Sequence, residues 1–100
     1  MFVAVYKFKA RSGMEQQFER AWAERTIEIR NTMGSLGSRL HRADDGTYVG
    51  YAQWPSRQVW ESSSGSAETP AMGAMREASE EIETILRLDV INDLLVLGSV

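Results

Sequence analysis

The sequence contains no cysteine, one histidine and two prolines among its 100 residues. Without cysteine the chain cannot form disulfides, use a thiol nucleophile or bind a metal through thiolates. With a single histidine, a metal site would need several converging carboxylates, and the sequence offers none at a useful spacing. The eleven lysines and arginines are scattered and the formal net charge is −3, which disfavours binding to nucleic acid. We therefore expect a protein with no metal and no nucleic-acid partner.

Long hydrophobic runs are also missing. The longest apolar stretch, Leu88 to Leu97, is interrupted by Asp89, Asn92 and Asp93, whereas a membrane-spanning helix needs about 20 apolar residues. The first residues lack the basic segment of a secretory signal. With 43% hydrophobic residues the composition is that of an ordinary folded chain. These features predict one soluble, cytoplasmic domain over residues 1–100 with no membrane partner.

The first third of the chain predicts a strand followed by a helix. Phe2 to Lys9 is rich in β-branched and aromatic residues and is apolar on both faces, which is typical of a central strand. Ser12 to Glu15 has the spacing of a capping box. Met14 to Met33 then carries apolar residues at helical spacing, with Gly34 as the expected stop. Arg25 interrupts the apolar stripe, which indicates an edge or a cavity beside the helix.

The middle of the chain predicts a hairpin that leads into a short helix. Leu36 to Ala43 and Thr47 to Trp54 flank an Asp-Asp-Gly sequence, and Asp-Gly between strand-like runs is a strong hairpin signal. Pro55 cannot donate a ladder hydrogen bond, so the strand should end at Trp54. Ser56 is then placed to cap a short helix.

The last part of the chain predicts a second long helix, Ala71 to Glu83, and a final strand, Ile85 to Val90. Leu94 to Leu97 either extends that strand or forms a separate segment. The resulting order predicts an α+β, ferredoxin-like split β-α-β fold (β-α-β-β-α-β), with a four-stranded antiparallel sheet and its helices on one face.

The strands are apolar on two faces, and helices can cover only one of them. Soluble monomers rarely expose a contiguous apolar surface of that size. We therefore expect a second copy of the chain to pack sheet to sheet, which gives a symmetric homodimer.

Three segments carry a family resemblance: FERAW (Phe18 to Trp22), MGSLGSRLHR (Met33 to Arg42) and YAQWPSRQVWES (Tyr51 to Ser62). Together with the N-terminal strand they resemble the antibiotic biosynthesis monooxygenase-like (ABM) family of dimeric α/β barrels. The resemblance implies a homodimer with a pocket between sheet and helices in each subunit. It also implies chemistry of the kind that some members perform, which oxygenate phenolic polyketide intermediates without metal, flavin or haem.

Other members of that family cleave haem, and two departures disfavour that activity here. Many members carry a histidine in the second-helix segment, where this chain has Ser62 to Ser64. The haem-degrading branch uses an asparagine on the first strand together with a histidine and a tryptophan, and this strand has no asparagine.

The candidate catalytic residues are those that could hold or move a proton beside an aromatic substrate. Imidazole titrates near neutrality, so His41 suits a general base or a hydrogen-bond donor, or is a half-exposed strand residue between arginines. Tyrosine hydroxyls and an indole N–H could steady an anionic oxygen, or their rings could simply fill the core. The catalytic candidates are Tyr6, His41, Tyr51 and Trp54, and the candidates for the substrate pocket are Trp22, Trp60, Arg39 and Met72.

The leading hypothesis is therefore a cofactor-independent monooxygenase-like protein that binds a small hydrophobic aromatic molecule of phenol, quinone or anthrone type. One alternative is a non-catalytic dimeric ligand-binding or stress-related module. A further alternative is an isomerase or dehydratase built on the same scaffold.

Overall fold

The computed structural model of the chain describes residues 1–65 and 67–96. Its elements in chain order are β1 (Phe2–Ala10), α1 (Glu15–Met33), β2 (Gly37–Arg42), β3 (Tyr48–Trp54), α2 (Arg57–Glu61), α3 (Pro70–Glu77) and β4 (Ser79–Asp89). The strands form one antiparallel sheet in the order β2-β3-β1-β4. This is the predicted ferredoxin-like arrangement, with the doubly apolar first strand in the interior of the sheet.

The core lies between the sheet and the helices, in two clusters on the same face. The first is formed by Phe2, Ala4, Ala52 and Trp54, and the second by Phe8, Phe18, Tyr48 and Ala78. Phe2 and Phe18 are fully buried, and burial of such a side chain contributes roughly 2–3 kcal/mol. Tyr6 packs against both clusters, so the middle of β1 lies where they meet.

The turn and stop signals of the sequence are confirmed. Gly34 ends α1 with a φ of 82°, in the left-handed region, where glycine avoids the steric cost of a Cβ atom. In the hairpin, Asp45 accepts hydrogen bonds from the backbone and side chain of Thr47. The Ser56 hydroxyl accepts from the Val59 amide at 3.2 Å and caps α2.

Two predicted boundaries are wrong. The Ser12 hydroxyl does not cap α1: the cap position is Met14, which makes no side-chain cap hydrogen bond, and Glu15 instead accepts from the Gly13 amide. The second long helix does not reach Glu83. It ends at Glu77, and β4 begins at Ser79, because residues from Ser79 onward pair with the far end of β1 and this pairing overrides a helix-compatible local sequence.

The face of the sheet that points away from the helices is apolar over one half, and we call it the open face. It carries Val3, Val5, Val49, Tyr51, Leu86 and Leu88, as the strand registers require. Leu86 is 50% exposed and Leu88 40% exposed. The other end of this face is charged, with Lys7 opposite Glu83 and Lys9 opposite Glu81.

The C-terminal tail, residues 90–96, crosses one end of the open face. The Val90 amide donates to the Met1 carbonyl at 3.0 Å, and Leu94 and Leu95 line a groove with Val3 and Tyr51. Because β4 ends at Asp89, Leu94 and Leu95 do not extend it and belong to a separate segment. Residues 97–100 of the predicted domain lie outside the described residues.

Over the described ranges, no helix is both long enough and apolar enough to span a membrane.

Candidate functional site

The sheet divides the predicted catalytic residues into two groups. Tyr6 and Trp54 face the helices, where both belong to or pack against the core. His41 pairs with Val49, and Arg39 pairs with Tyr51, so these side chains lie on the open face. The four catalytic candidates therefore do not meet in one site of the chain. A pocket between sheet and helices can include Tyr6 and Trp54 but not His41, Tyr51 or Arg39.

Tyr6 and Trp60 form a hydrogen-bonded pair on the helix side. The Trp60 Nε1 donates to the Tyr6 hydroxyl oxygen at 2.7 Å, which joins α2 to the middle of β1. Burial raises the pKa of Tyr6 above its usual 10.0, and the Trp60 hydrogen bond and the Arg87 charge offset this only in part. Tyr6 is therefore neutral at neutral pH. Since its oxygen accepts from the indole, its own proton is available for another acceptor.

Arg87 on β4 adds a positive charge beside this pair. Its guanidinium carbon lies 5.5 Å from the centroid of the Trp60 ring, within the range of a cation–π interaction. Its register position opposite Ala4 places it on the helix side. We call Tyr6, Trp60 and Arg87 the helix-side cluster. Sequence reasoning missed Arg87, although the predicted strand Ile85 to Val90 contained it and two-residue alternation would have placed it on the face opposite to that of Leu86 and Leu88.

The helix-side cluster borders an open part of the surface. Ile82 lies on the same side of β4, opposite Phe8 in the register, and remains 47% exposed. The buried ring of Phe2 packs against Trp60, with the two ring centroids 5.2 Å apart. The helices therefore leave part of the β4 edge uncovered.

Trp54, in contrast, is a core residue. It is 3% exposed and lies in the cluster with Phe2, Ala4 and Ala52. Among the described residues its Nε1 has no hydrogen-bond acceptor, and a buried donor without a partner costs about 1–3 kcal/mol. The ring packs as the core interpretation predicts, while the N–H is a donor that nothing in the described protein uses.

Trp22 and Met72, two of the pocket candidates, are half-buried on the helix side. Trp22 packs against the Phe8 cluster, and its Nε1 lies near Gly50. A Cβ atom at Gly50 would lie 3.1 Å from the Phe8 ring and 3.6 Å from the Trp22 Nε1, so glycine permits this close aromatic packing. Met72 lies in the first turn of α3, where its amide donates to the Thr69 cap.

Arg25, which interrupts the apolar stripe of α1, is buried. It is 8% exposed and forms an ion pair with Glu28 at 3.2 Å. The same Glu28 oxygen accepts from the Thr69 hydroxyl at 2.8 Å. The Arg25 guanidinium is therefore part of a hydrogen-bonded network that joins α1 to the start of α3.

The open face carries a separate groove of about 480 Å³, which we call the exposed-face groove. Its polar lining comes from Arg39 and His41 on β2 and from Tyr51 and Gln53 on β3, and its apolar lining includes Leu36 and Leu95. Three of the predicted site residues, Arg39, His41 and Tyr51, therefore line this groove and do not lie on the helix side.

Neither side of the sheet offers a cluster of metal ligands in the part of the chain that the structure describes: no three histidine, aspartate or glutamate side chains are grouped suitably. The single histidine of the chain, His41, lies on the open face. It therefore lies on the opposite side of the sheet from the helix-side cluster.

Comparison with known proteins shows the family. The model of the family described as antibiotic biosynthesis monooxygenase matches residues 1–87. The chain belongs to this family. No curated protein sequence matches it.

Three solved structures illustrate the shared fold. SnoaB from Streptomyces nogalater, a cofactor-independent oxygenase, is 21% identical, with a TM-score of 0.76 over 93% of this chain and 95% of SnoaB. Rv0793 from Mycobacterium tuberculosis is 16% identical, with a TM-score of 0.70 over 94% and 98%. The haem degrader MhuD from M. tuberculosis, solved with two haems in its active site, is 19% identical, with a TM-score of 0.65 over 94% and 99%. At these identities the structural likeness shows the fold alone.

Proposed function

We propose that this ABM-family protein is a cofactor-independent monooxygenase that oxidises a small aromatic substrate of phenol, quinone or anthrone type at the helix-side cluster. The hydrogen bond from Trp60 to Tyr6 beside Arg87 carries the proposal. It combines a neutral O–H donor with a nearby cation at an open edge of the sheet. Family membership and the shared fold with SnoaB support the same class of chemistry.

The cluster suits the stabilisation of an aromatic anion. Arg87 would attract the negative charge of the deprotonated substrate, and the Tyr6 O–H would donate to the substrate oxygen that carries it. Fixed donors aimed at developing charge are an effective source of catalysis because they need no reorganisation during the reaction. The ring of Trp60 would hold the substrate by aromatic contact.

An electron-rich anion of this kind can react with oxygen directly. In an anthrone, the CH₂ carbon becomes a carbonyl by taking one atom of O₂, and the second oxygen atom leaves as water with the two hydrogens. The substrate supplies all four electrons, so the reaction needs no external reductant. The protein contributes orientation and charge stabilisation.

The proposal includes a homodimer in which the open faces of two copies pack together. Val3, Val5, Leu86 and Leu88 would form the centre of that contact, and the helix-side clusters would lie on its outer surfaces. Association of two apolar sheet faces removes the exposed leucines from water.

Oxygen consumption by metal-free protein tests the oxygenase proposal. We expect added anthrone to be consumed with oxygen uptake well above the rate in buffer, and no product to form under nitrogen. Conversion that continues under nitrogen would instead indicate the isomerase or dehydratase alternative. No uptake above buffer across a panel of phenols and anthrones would contradict the proposal.

A second candidate is a ligand-binding module without turnover, and the second-helix segment favours it. The hydroxyls of Ser62, Ser63 and Ser64 all donate to backbone carbonyls of α2, so this segment supplies no general base where many family members carry histidine. Thermal stabilisation by an aromatic ligand that is recovered unchanged would support this candidate.

A further inference from the structure

We infer that Arg57 makes the helix-side cluster selective for an aromatic substrate that carries a carboxylate at the end of its ring system opposite the reacting oxygen. Arg57 is the first residue of α2, and its exposed side chain lies on the helix side of the sheet, beside Phe2. The inference rests on the proposed function for the position of the reacting oxygen, at Tyr6 and Arg87. Recognition of the carboxylate needs no turnover, so it can be measured separately as binding.

Two arginines lie on a pair of aromatic rings at this end of the sheet. The Arg57 guanidinium carbon is 4.8 Å from the centroid of the Phe2 ring, and the Arg87 guanidinium carbon is 5.5 Å from that of Trp60. Both distances are within the limit of about 6 Å for a cation–π interaction. The two rings contact each other, with centroids 5.2 Å apart. Because Phe2 is fully buried in a close-packed core, it holds the Arg57 guanidinium in place before a ligand binds.

Both guanidinium groups have hydrogen-bond donors to offer. The ion pair of Arg57 with Asp89 measures 3.9 Å between Nη2 and Oδ2, which is longer than the roughly 2.7–3.2 Å of a hydrogen bond. Within the described ranges, neither Arg57 nor Arg87 donates a hydrogen bond to another residue. A guanidinium binds a carboxylate through two parallel hydrogen bonds. Each arginine can therefore bind a different oxygen group of one ligand.

Asp89 is the acidic group that a ligand carboxylate would displace from Arg57. It is the last residue of β4 and lies opposite Phe2 in the register. The side chains of Arg57 and Asp89 are 44% and 68% exposed, so water screens their pairing and it contributes little to stability. Glu61, one turn along α2, forms no ion pair with Arg57 in the part of the chain that the structure describes. A ligand carboxylate therefore competes for Arg57 against one weakly held carboxylate.

The separation of the two arginines selects the shape of the ligand. Arg87 and Asp89 are two residues apart on the helix side of β4, a distance of about 7 Å, and Arg57 pairs with Asp89. A ligand that binds both arginines must therefore carry its ring oxygen and its carboxylate at opposite ends of a fused ring system. Trp60 is only half-buried, so the exposed part of its ring can contact the ligand between these two ends.

Calorimetric titration of metal-free protein at neutral pH tests this selectivity with three naphthols. The first, 6-hydroxy-2-naphthoate, has its hydroxyl and its carboxylate at opposite ends of the rings. We expect its Kd to be roughly tenfold lower than that of the neutral 6-hydroxy-2-naphthamide, because it gains charge-assisted hydrogen bonds. The isomer 3-hydroxy-2-naphthoate, whose two groups are adjacent, cannot reach both arginines and should also bind more weakly.

Three variants locate the selectivity at Arg57. The preference for the acid over the amide should disappear in Arg57→Gln. Arg20→Gln, which removes the same charge from an exposed position on α1, should keep the preference. Asp89→Asn removes the competing carboxylate and should lower the Kd of 6-hydroxy-2-naphthoate. Thermal unfolding of each variant shows that it is folded.

Four results would each overturn the inference: no saturable binding of 6-hydroxy-2-naphthoate to the wild type, equal affinity for acid and amide, a preference that persists in Arg57→Gln, or weaker acid binding in Asp89→Asn. Oxygen uptake with anthrone is measured on the same preparation. Uptake without a preference for the acid would contradict this inference alone. A preference for the acid without uptake would contradict the oxygenase proposal alone.

Discussion

Trp60 and Tyr6, 54 residues apart in the sequence, are joined by a 2.7 Å hydrogen bond from the indole N–H to the phenolic oxygen. This bond fixes the direction in which Tyr6 can donate its own proton. It also depends on α2 keeping its position over β1, where Phe2 contacts the Trp60 ring. The reactivity proposed for the helix-side cluster depends on this pair.

Tyr6→Phe removes the proposed donor and keeps the ring. We expect kcat for anthrone oxidation to fall on the order of 10²-fold, as for loss of one oxyanion donor, with a much smaller change in KM. Tyr48→Phe is a matched control, since its hydroxyl binds Glu19 and Arg42 at the other end of the same face. Steady-state kinetics that show equal losses in the two variants would contradict a role for Tyr6 in the reaction.

The raised pKa of Tyr6 predicts a loss of stability at high pH. The pKa of Tyr6 is higher in the folded chain than its unfolded value of 10.0. The protonated phenol therefore contributes its full stability below about pH 10, and this stability is lost as the pH rises through the pKa of the folded chain. The wild-type free energy of unfolding should therefore fall more between about pH 8 and about pH 11 than that of Tyr6→Phe. Urea unfolding at both values measures this. An equal fall in both proteins would show that the Tyr6 phenol ionises as easily in the folded chain as in the unfolded one.

Glu19 forms hydrogen bonds that link α1 to the hairpin. These bonds predict a loss of stability at low pH, whereas Tyr6 predicts a loss at high pH. The Glu19 carboxylate accepts from the Tyr48 hydroxyl and from the Arg42 guanidinium at 2.9 Å, and the pKa of Glu19 is lowered chiefly by the Tyr48 bond. The ionised Glu19 carboxylate therefore stabilises the fold at pH values above its unfolded pKa of 4.5. This stabilisation is lost as the pH falls through the pKa of Glu19 in the folded chain.

Glu19→Gln should therefore lower the free energy of unfolding at pH near 7 by less than about 1 kcal/mol, because the exposed pair is screened by water. The difference from wild type should disappear at about pH 3. Chemical denaturation at both pH values provides the measurement, and a difference that persists in acid would exclude the ionised carboxylate as its cause.

Because the proposed dimer contact on the open face is apolar, a charge placed there should prevent two copies of the chain from associating. Leu86→Glu places a carboxylate at the centre of the proposed dimer contact, and we expect sedimentation velocity at micromolar concentration to show monomer where wild type shows dimer. Ile27→Glu is the matched control, because Ile27 on α1 is 48% exposed and Leu86 is 50% exposed. A wild-type protein that sediments as a folded monomer would contradict the proposed pairing of open faces.

The fold was predictable from the sequence because most of its signals are local. The Asp-Gly turn, the Ser56 cap and the Gly34 stop each act within a few residues, and all three are present in the structure. The start of β4 was not predictable in this way. Ser79 to Glu83 has a helix-compatible sequence, and it is a strand because it pairs with β1, which lies far away in the chain.

The candidate site was predictable only in part. Tyr6 and Trp60 were each singled out, but their hydrogen bond depends on how α2 packs over the sheet, which no local pattern encodes. Arg87 was missed although the predicted strand, Ile85 to Val90, already contained it. The sequence did hold one unused signal: Tyr51 and Trp54 are three residues apart on one strand, and side chains at an odd spacing point to opposite faces. They could not share a pocket.

Isotope labelling tests the oxygenase account most directly. Metal-free protein would be incubated with an anthrone under ¹⁸O₂, beside a Tyr6→Phe/Trp60→Phe double variant and a sample without protein, and the quinone would be analysed by mass spectrometry. The account predicts rapid formation of quinone with one ¹⁸O atom by the wild type alone, with the double variant close to the buffer rate. Equal rates in all three samples, or quinone without ¹⁸O, would contradict it.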